Sequence, residues 1–259
     1  WRLETGDFSI SLLITQDEEG IAINGTKPML GWLAERGEVI DACIVGEPTN
    51  PEVLGEMAKV GRRGSVNFHL AVEGKQGHVA YPERAENPIT RMVHMLHALK
   101  AEPMDAGTAY FPPSNVEITT VDVGNPTMNM IPARATATFN VRFNNLHTGA
   151  EVVAWVEERL KPHGAYTLTH RISGEAFLTE DARLAAVVVG AVKDITGRTP
   201  ALSTTGGTSD ARFIRSYCPV LEFGLVGESM HKVDEKSAIA DLKTLARVYE
   251  TVLDRYFAA

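Results

Sequence analysis

The chain has 259 residues, of which 44% are hydrophobic and 22% charged, so it can bury one large core or two modest ones. Its formal net charge of -8 argues against a protein that binds nucleic-acid phosphates, because such proteins gather Lys and Arg on one face. No apolar run approaches the roughly 20 residues that span a bilayer, and the two cysteines lack the spacing of a zinc knuckle. These features predict a cytoplasmic protein with neither a nucleic-acid nor a membrane partner.

The first part of the chain alternates predicted strands with a predicted helix. Residues 8–14 and 41–45 are expected to be strands, and residues 26–36 a helix with Thr26 as its N-cap and Pro28 in its first turn. This order is typical of α/β domains, in which ligands bind beyond the carboxyl ends of the strands.

From residue 64 the pattern changes to apolar alternation, with Val66, Phe68, Leu70 and Val72 on one face of a strand. The elements that follow are a helix over 88–100, strands over 115–123 and 133–143, a helix over 148–160 and a strand over 165–172. This β-α-β-β-α-β order folds as a ferredoxin-like, four-stranded antiparallel sheet with two helices on one face.

After residue 174 the α/β pattern returns. The predicted elements are a helix over 181–196, a glycine-rich turn at 206–207, a strand over 220–223 and a helix over 241–256. The sequence therefore predicts a discontinuous α/β domain, residues 1–61 and 176–259, with a mixed sheet flanked by helices. A separate domain, residues 62–175, is inserted into it.

Three groups of chemically capable side chains follow predicted strands of the α/β domain. Glu18 and Glu19 come after the first strand, Glu47 after the second, and His231 after the strand over 220–223. Carboxylate and imidazole are ligands that Zn²⁺ accepts at catalytic sites. Taken singly, an acidic loop is more often a solvated turn, and a lone loop histidine is seldom a ligand.

Other candidates are weaker when taken alone. His78 lies in a glycine-containing turn of the inserted domain and is either presented to a site or simply exposed. Arg62, Arg63 and Arg142 can each bind a carboxylate through two hydrogen bonds. The Gly206-Gly-Thr-Ser-Asp210 segment offers backbone N–H groups to an anion.

Ordered motifs over nearly the whole chain resemble the dinuclear-zinc aminoacylase and carboxypeptidase superfamily. They are Thr15-Gln-Asp-Glu-Glu-Gly20, Val45-Gly-Glu-Pro-Thr49, Gly61-Arg-Arg-Gly-Ser65, Gly77-His-Val-Ala-Tyr-Pro82, Glu86-Asn-Pro88, Asn129-Met-Ile-Pro132, Gly206-Gly-Thr-Ser-Asp-Ala-Arg-Phe213 and Met230-His-Lys-Val233. The third motif and the last two favour a branch that removes succinyl groups over the acetylornithine deacetylase and peptidase branches.

The resemblance implies a role for each strand-end residue. Glu18 would be the general base, Glu19 and His231 would share one Zn²⁺, and Glu47 would bind the other, with Co²⁺ as a possible substitute. The inserted domain would form a homodimer, and His78 would stabilise the oxyanion in the site of the partner chain.

The resemblance also implies a donor-rich set of residues for a small anionic substrate. The set comprises Arg62, Arg63, Ser65, Tyr81, Asn129, Arg142, Ser173, Gly207 and Thr208. The expected reaction is hydrolysis of the amide bond of an N-acyl amino acid. The alternatives are a deacylase of the acetylornithine type and a non-catalytic dimerisation fragment.

One departure from the superfamily concerns the metal site. Its members carry a His-x-Asp motif and a bridging Asp before the Asp-Glu-Glu segment, and the residues preceding Asp17 contain neither. We therefore expect an N-terminally truncated chain that lacks part of its metal site.

Overall fold

The computed structural model describes residues 2–5, for the backbone only, and residues 8–20 and 22–258. The chain divides into two compact units. Unit 1 comprises Trp1–Arg62 and Phe177–Ala259, and unit 2 comprises Arg63–Ala176, one residue later than the predicted boundaries. The start at Trp1, on which the expected truncation partly rests, lies outside the described residues. No helix in the described part is both long enough and apolar enough to cross a membrane.

The elements are numbered in chain order. The strands are β1 Arg2–Thr5, β2 Phe8–Ser11, β3 Cys43–Val45, β4 Met57–Lys59, β5 Gly61–Arg62, β6 Gly64–Glu73, β7 Gly77–His78, β8 Asn115–Asp122, β9 Met130–Ile131, β10 Arg134–Phe143, β11 Thr167–Gly174, β12 Phe177–Leu178, β13 Ala201–Ser203 and β14 Val220–Glu222. The helices are α1 Thr26–Glu35, α2 Pro88–Ala101, α3 Gly149–Leu160, α4 Ala182–Thr196, α5 Ala211–Ile214 and α6 Ile239–Ala258, with 3-10 turns at Pro82–Arg84 and Lys161–His163.

Unit 2 contains an antiparallel sheet with the strand order β11-β6-β10-β8. Strands β6 and β10 pair along their full lengths, from Arg134 opposite Glu73 to Phe143 opposite Gly64. Alternate residues of both strands are buried, and they pack with α2 and α3 around one core. The predicted ferredoxin-like fold is confirmed.

The core of unit 2 forms where the apolar faces of its strands, which repeat every two residues, meet the apolar faces of its helices, which repeat every 3.6 residues. The stacked rings of Phe68 and Phe139 lie at its centre, with ring centroids 4.8 Å apart. Helices α2 and α3 cover them with Met95 and Val156, both fully buried. The sequence predicts an apolar side of α2 made of Ile89, Met92, Val93, Leu96 and Leu99. This prediction was partly wrong, because Val93 is exposed and the buried Met95 was omitted.

The loop between α2 and β8 is fixed by the buried carboxylate of Asp105. Its Oδ1 accepts hydrogen bonds from the backbone N–H of Gly107 at 2.7 Å and from Asn144 Nδ2 at 2.6 Å. Its Oδ2 lies 3.1 Å from His147 Nε2. Burial alone would raise the pKa of Asp105, but hydrogen bonds from Ser114, Gly107 and Asn144 outweigh it and lower the pKa.

We expect Asp105→Asn to lower the free energy of unfolding of unit 2 by about 1.5–3 kcal/mol at pH 7, because it removes charge-assisted hydrogen bonds. The folded-state pKa is depressed, so this contribution is present above the unfolded pKa of about 3.9 and is lost as pH falls through the folded value. Urea unfolding followed by Trp155 fluorescence, with the other tryptophans changed to Phe, measures it. The exposed acid Asp122 supplies the control Asp122→Asn, and equal losses in both variants would contradict the assignment.

Unit 1 contains a mixed sheet with the order β13-β4-β14-β3. Strand β14 is parallel to β3, β13 is parallel to β4, and β14 meets β4 antiparallel where Glu222 lies opposite Lys59. Successive residues of β14 enter different cores, because side chains alternate across a strand. Leu221 packs with α4 and α6, whereas Val220 packs with α1 and α5. Helices therefore flank both faces, and the predicted fold class is confirmed.

Several predicted bounds in unit 1 need correction. The strand predicted over 8–14 ends at Ser11, and the strand predicted over 41–45 begins at Cys43. Thr26 is not the N-cap of α1: that position is Gly25, which makes no side-chain cap hydrogen bond. Strands β4 and β13 were not predicted, since each has only three residues. The bounds of the predicted long helices lie within two residues of those observed.

Candidate functional site

The loop after β2 carries Glu18 and Glu19 and is shaped by Asp17. The Oδ2 atom of Asp17 accepts the backbone N–H groups of Ile23 at 2.9 Å and Asn24 at 3.0 Å. Its carbonyl oxygen accepts two further backbone N–H groups of the same loop. Glu18 is half-buried and Glu19 is exposed, so the loop places two adjacent glutamates in environments that differ in solvent exposure.

The parallel strands β3 and β14 bring the other two predicted ligands to one edge of the sheet. Glu47 follows β3, and the backbone of Gly224 lies so close to it that an added Cβ at Gly224 would be 2.4 Å from the carbonyl oxygen of Glu47. The chain beyond β14 leads to His231, whose Nε2 lies 3.8 Å from Oε1 of Glu19. The structure thus places the side chains of Glu19 and His231 close together.

The carboxylates of this edge are crowded. Burial, followed by the charges of Glu18 and Glu222, raises the pKa of Glu47 to about 7. Burial, followed by the charges of Glu19 and Asp210, raises the pKa of Glu18. A cation placed among these groups would relieve their mutual repulsion.

The backbone of the same two loops is unusual. Among the described residues, the non-glycine residues with positive φ are Asp17, Ala22, His231 and Asp234. All four lie in the loop of Glu18 or in the loop of His231. Such conformations are sparsely populated and concentrate at functional sites, which supports a functional reading of both loops.

The donor set suits a divalent metal ion in its chemistry. Glu19 and His231 supply the carboxylate and imidazole that zinc accepts, and Glu47 has a pKa that is raised first by burial and then by the charges of Glu18 and Glu222. Within the described ranges, no three His, Cys, Asp or Glu side chains are grouped closely enough to hold a metal. The residues therefore fit one side of a metal site.

Arg62 was expected to contact substrate, but its guanidinium is committed within unit 1. Only 7% of the residue is exposed, and Nε and Nη2 both bind the carboxylate of Glu222. Its Nη1 donates to the carbonyl oxygens of Thr205 and Gly207. Gly207 and Thr208 are exposed.

In unit 2, a two-stranded ribbon brings together three of the predicted residues. Strand β7 pairs with β9 so that His78 lies opposite Met130. The backbone N–H of Ala80 donates to Nδ1 of His78 at 3.1 Å, so the neutral ring carries its proton on Nε2. The ring of Tyr81 lies 5.9 Å from that of His78, and the carbonyl oxygen of Asn129 accepts the N–H of Val79.

A second group in unit 2 lies on the polar face of the sheet. Arg142 lies opposite Ser65 and is near Arg63, and burial followed by the charge of Arg63 lowers the pKa of Arg142. The Nε atom of Arg63 is buried and has no partner among the described residues. Ser65 and Ser173 are linked to this face by hydrogen bonds with Asn140 and Asn67, respectively. Within the part of the chain that the structure describes, neither Arg63 nor Arg142 forms an ion pair with an acid, so this face is suited to an anion.

Three residues of the unit 1 site were given no individual role from the sequence, although two of them, Asp210 and Arg212, lie within the motif at residues 206–213. Asp210 accepts a 2.5 Å hydrogen bond from Thr26, which anchors the start of α1. Arg212 is close enough to Glu18 to lower its pKa. Glu222 is 1% exposed, and its position in an apolar strand was the available signal, because Glu is almost never fully buried without a partner.

Residues 60–167 match the M20 family model described as a peptidase dimerisation domain. The solved structure of the M20 family metallo-carboxypeptidase Sso-CP2 from Sulfolobus solfataricus is similar, with a TM-score of 0.70 and 13% identity, over 93% of this chain and 68% of that one. The aminopeptidase PepT from Bacillus cereus has a TM-score of 0.68 and 20% identity, over 82% and 56%. Residues 60–167 thus match a peptidase dimerisation domain, and the fold of the chain is similar to that of these two peptidases.

Relatives that are similar in sequence over nearly the whole chain carry a more specific name. The chain is 57% identical to a succinyl-diaminopimelate desuccinylase of Rhodospirillum centenum over 251 residues, covering 96% of this chain and 65% of the relative. It is 56% identical to a succinyl-diaminopimelate desuccinylase of Caulobacter vibrioides, covering 97% and 66%. The chain thus spans about 65% of the length of these relatives.

Proposed function

We propose that the chain takes part in the zinc-dependent hydrolysis of N-succinyl-L,L-2,6-diaminopimelate to succinate and L,L-diaminopimelate. The observation that carries this proposal is the juxtaposition of Glu19 with His231, next to Glu18 and Glu47, in a chain 57% identical to a named desuccinylase. The proposal includes a role in lysine and diaminopimelate synthesis and the expected cytoplasmic location.

The metal ligands proposed for this chain are Glu19, Glu47 and His231. Glu19 and His231 would hold one of two zinc ions in a complete site, and Glu47 the other, with Co²⁺ as a possible substitute. Bound zinc would polarise the amide carbonyl and make water easier to deprotonate. Burial and the charges of Glu18 and Glu222 raise the pKa of Glu47, and a cation at this edge would stabilise the ionised carboxylate.

Glu18 is proposed as the general base. Its half-buried carboxylate would take a proton from the attacking water and pass it to the leaving nitrogen as the C–N bond breaks. The succinyl carbon thereby gains a hydroxyl oxygen, and the amine leaves with two protons. No further reactant is needed.

The substrate contacts are proposed to come from both units. The Nε2–H of His78 is available to stabilise the oxyanion, and in a homodimer formed through unit 2 it would act in the partner's site. Arg63 and Arg142 supply the cationic face for a substrate carboxylate, with Ser65, Ser173, Tyr81 and Asn129 as further donors. Gly207 and Thr208 offer exposed backbone to the same substrate.

The test combines this chain with the part of the R. centenum relative that the sequence match leaves uncovered. After dialysis against zinc, we expect about two zinc ions per complete site and release of primary amine from N-succinyl-L,L-diaminopimelate. A chelator should abolish amine release, and added zinc should restore it.

The acetylated analogue is the matched substrate control, because it lacks the distal carboxylate. A bound ion pair of this kind contributes about 1.5–3 kcal/mol, so we expect the succinylated substrate to be cleaved at least about tenfold faster in kcat/KM. Faster cleavage of the acetylated analogue would favour a deacylase of the acetylornithine type. A zinc-loaded complex that cleaves neither substrate would contradict the proposal.

A further inference from the structure

The end of β14 buries a charge that the proposed chemistry does not use. The side chain of Glu222 is 1% exposed and lies where β14 meets β4, opposite Lys59. It accepts hydrogen bonds from Nε and Nη2 of Arg62 and from the hydroxyl of Ser209 at 2.6 Å. A carboxylate buried at this depth with three donors is held in one position.

The two cations beside Glu222 reach the same turn, residues 203–209. Nη1 of Arg62 donates to the carbonyl oxygens of Thr205 at 3.3 Å and Gly207 at 3.1 Å. Nζ of Lys59 donates to Oγ1 of Thr205 at 2.8 Å. Arg62 and Lys59 therefore hold the turn through hydrogen bonds to two of its carbonyl groups and one of its hydroxyl groups.

Glycine is required at the centre of this turn. Gly206 has a φ of +99°, a conformation that L side chains rarely adopt. A Cβ added there would lie 2.7 Å from Nη1 of Arg62. The guanidinium thus fits against a backbone position that only glycine can supply.

The direction of the carbonyl groups fixes the direction of the N–H groups. In a trans peptide the C=O and N–H bonds point in opposite directions. Because the carbonyl oxygens of Thr205 and Gly207 point at Arg62, the N–H groups of Gly206 and Thr208 point away from it. Both residues are exposed, and neither N–H group donates a hydrogen bond to an acceptor within the described chain.

A second arginine, Arg212, also contacts the 203–209 turn. Nη1 of Arg212 donates to Oγ1 of Thr208 at 3.1 Å, and its Nε is buried without a partner among the residues described. Outward N–H groups beside a guanidinium with an unused donor suit a carboxylate.

We infer that Glu222 is a positioning residue: through Arg62 it holds the 203–209 turn so that the N–H groups of Gly206 and Thr208 bind a carboxylate of the substrate. The identity of that carboxylate rests on the proposed function. Arg62 then acts through the turn rather than by touching substrate.

The test titrates the intact chain with succinate and follows the backbone amide signals of residues 206–208 by ¹H–¹⁵N NMR. We expect these amides to shift in the unsubstituted chain. In Glu222→Gln and Arg62→Lys the affinity should fall at least about tenfold, because small displacements of donors are costly. Asp194→Asn is the matched control, since it breaks the exposed pair of Asp194 with Arg255 in the same unit and should leave the titration unchanged.

Hydrogen exchange of the Nε–H of Arg62 with water gives a second measurement, which can be made on variants that remain folded. This Nε–H should exchange slowly with water in the unsubstituted chain and faster in Glu222→Gln. Unchanged succinate affinity in both folded variants, or rapid Arg62 exchange in the unsubstituted chain, would overturn the inference. Absence of any amide shift would also overturn it, whereas the proposed hydrolysis would still be judged separately by zinc-dependent amine release.

Discussion

Replacing Glu18 with Gln is expected to lower kcat for the proposed succinyl-diaminopimelate hydrolysis by about 10²–10⁴-fold while leaving the proposed zinc bound. Gln has nearly the same shape as Glu but cannot accept the proton of the attacking water. Glu18 is half-buried beside Glu19, so the substitution removes a charge from a crowded site without opening a large cavity. The measurement compares kcat and zinc content in the complex with the complementary part of the R. centenum relative.

Glu19→Gln separates the roles of the two adjacent glutamates. Because Glu19 is the carboxylate next to His231, its loss should lower zinc content and kcat together. Glu35→Gln, at an exposed position of α1, is the control that should change neither. If Glu18→Gln lost zinc and Glu19→Gln retained it, the two roles would be reversed.

Unit 2 could be predicted in detail because its elements are long. Strands β6 and β10 each have ten residues, enough for the alternation of Phe68 and Phe139 with polar neighbours to define a buried face. The remaining error was to place Val93 on the buried face and to omit Met95, which follows Met92 by three residues and precedes Leu99 by four and therefore shares their face.

Unit 1 could be predicted only in outline. Strands β4 and β13 have three residues each, and Lys59 and Ser203 at their ends obscure any apolar period. Thr26 matched an N-cap by residue type, but its hydroxyl binds Asp210, which lies far away in the sequence. Tertiary contacts of this kind cannot be inferred from local pattern.

In the candidate site, too, local sequence patterns could be predicted and tertiary contacts could not. Glu18, Glu47 and His231 were predicted from their positions after strands, where α/β sheets place their ligands, and their roles stay predictions. The partnership of Arg62 with Glu222 could not be predicted, since arginine after a strand suggests an exposed anion ligand. The buried charges became interpretable only once the antiparallel contact of β14 with β4 placed Lys59 opposite Glu222.

Replacing Glu222 with Gln is expected to lower the free energy of unfolding of unit 1 by about 3–5 kcal/mol at pH 7, because it leaves a buried guanidinium unpaired. The side chains of Arg62 and Glu222 are 8% and 1% exposed, so solvent cannot replace the lost partner. Urea unfolding followed by Trp32 fluorescence in a Trp155→Phe background measures the change. The double variant Arg62→Met with Glu222→Leu should be more stable than either single variant, since it removes both charges. Additive losses would contradict the pairing.

The pH dependence of Glu222→Gln tests the third member of the cluster. Burial, followed by the charge of Arg62, lowers the pKa of Lys59 to about 8, whereas Glu222 acts to raise it. A depressed lysine pKa means that the unfolded chain binds more protons between about pH 8 and its own pKa of about 10.4, so stability contributed by this group rises with pH across that window. Without Glu222 the pKa of Lys59 falls further, and the rise should begin at a lower pH. In Lys59→Met with Glu222→Gln the shifted rise should disappear, and its persistence would show that another group titrates in its place.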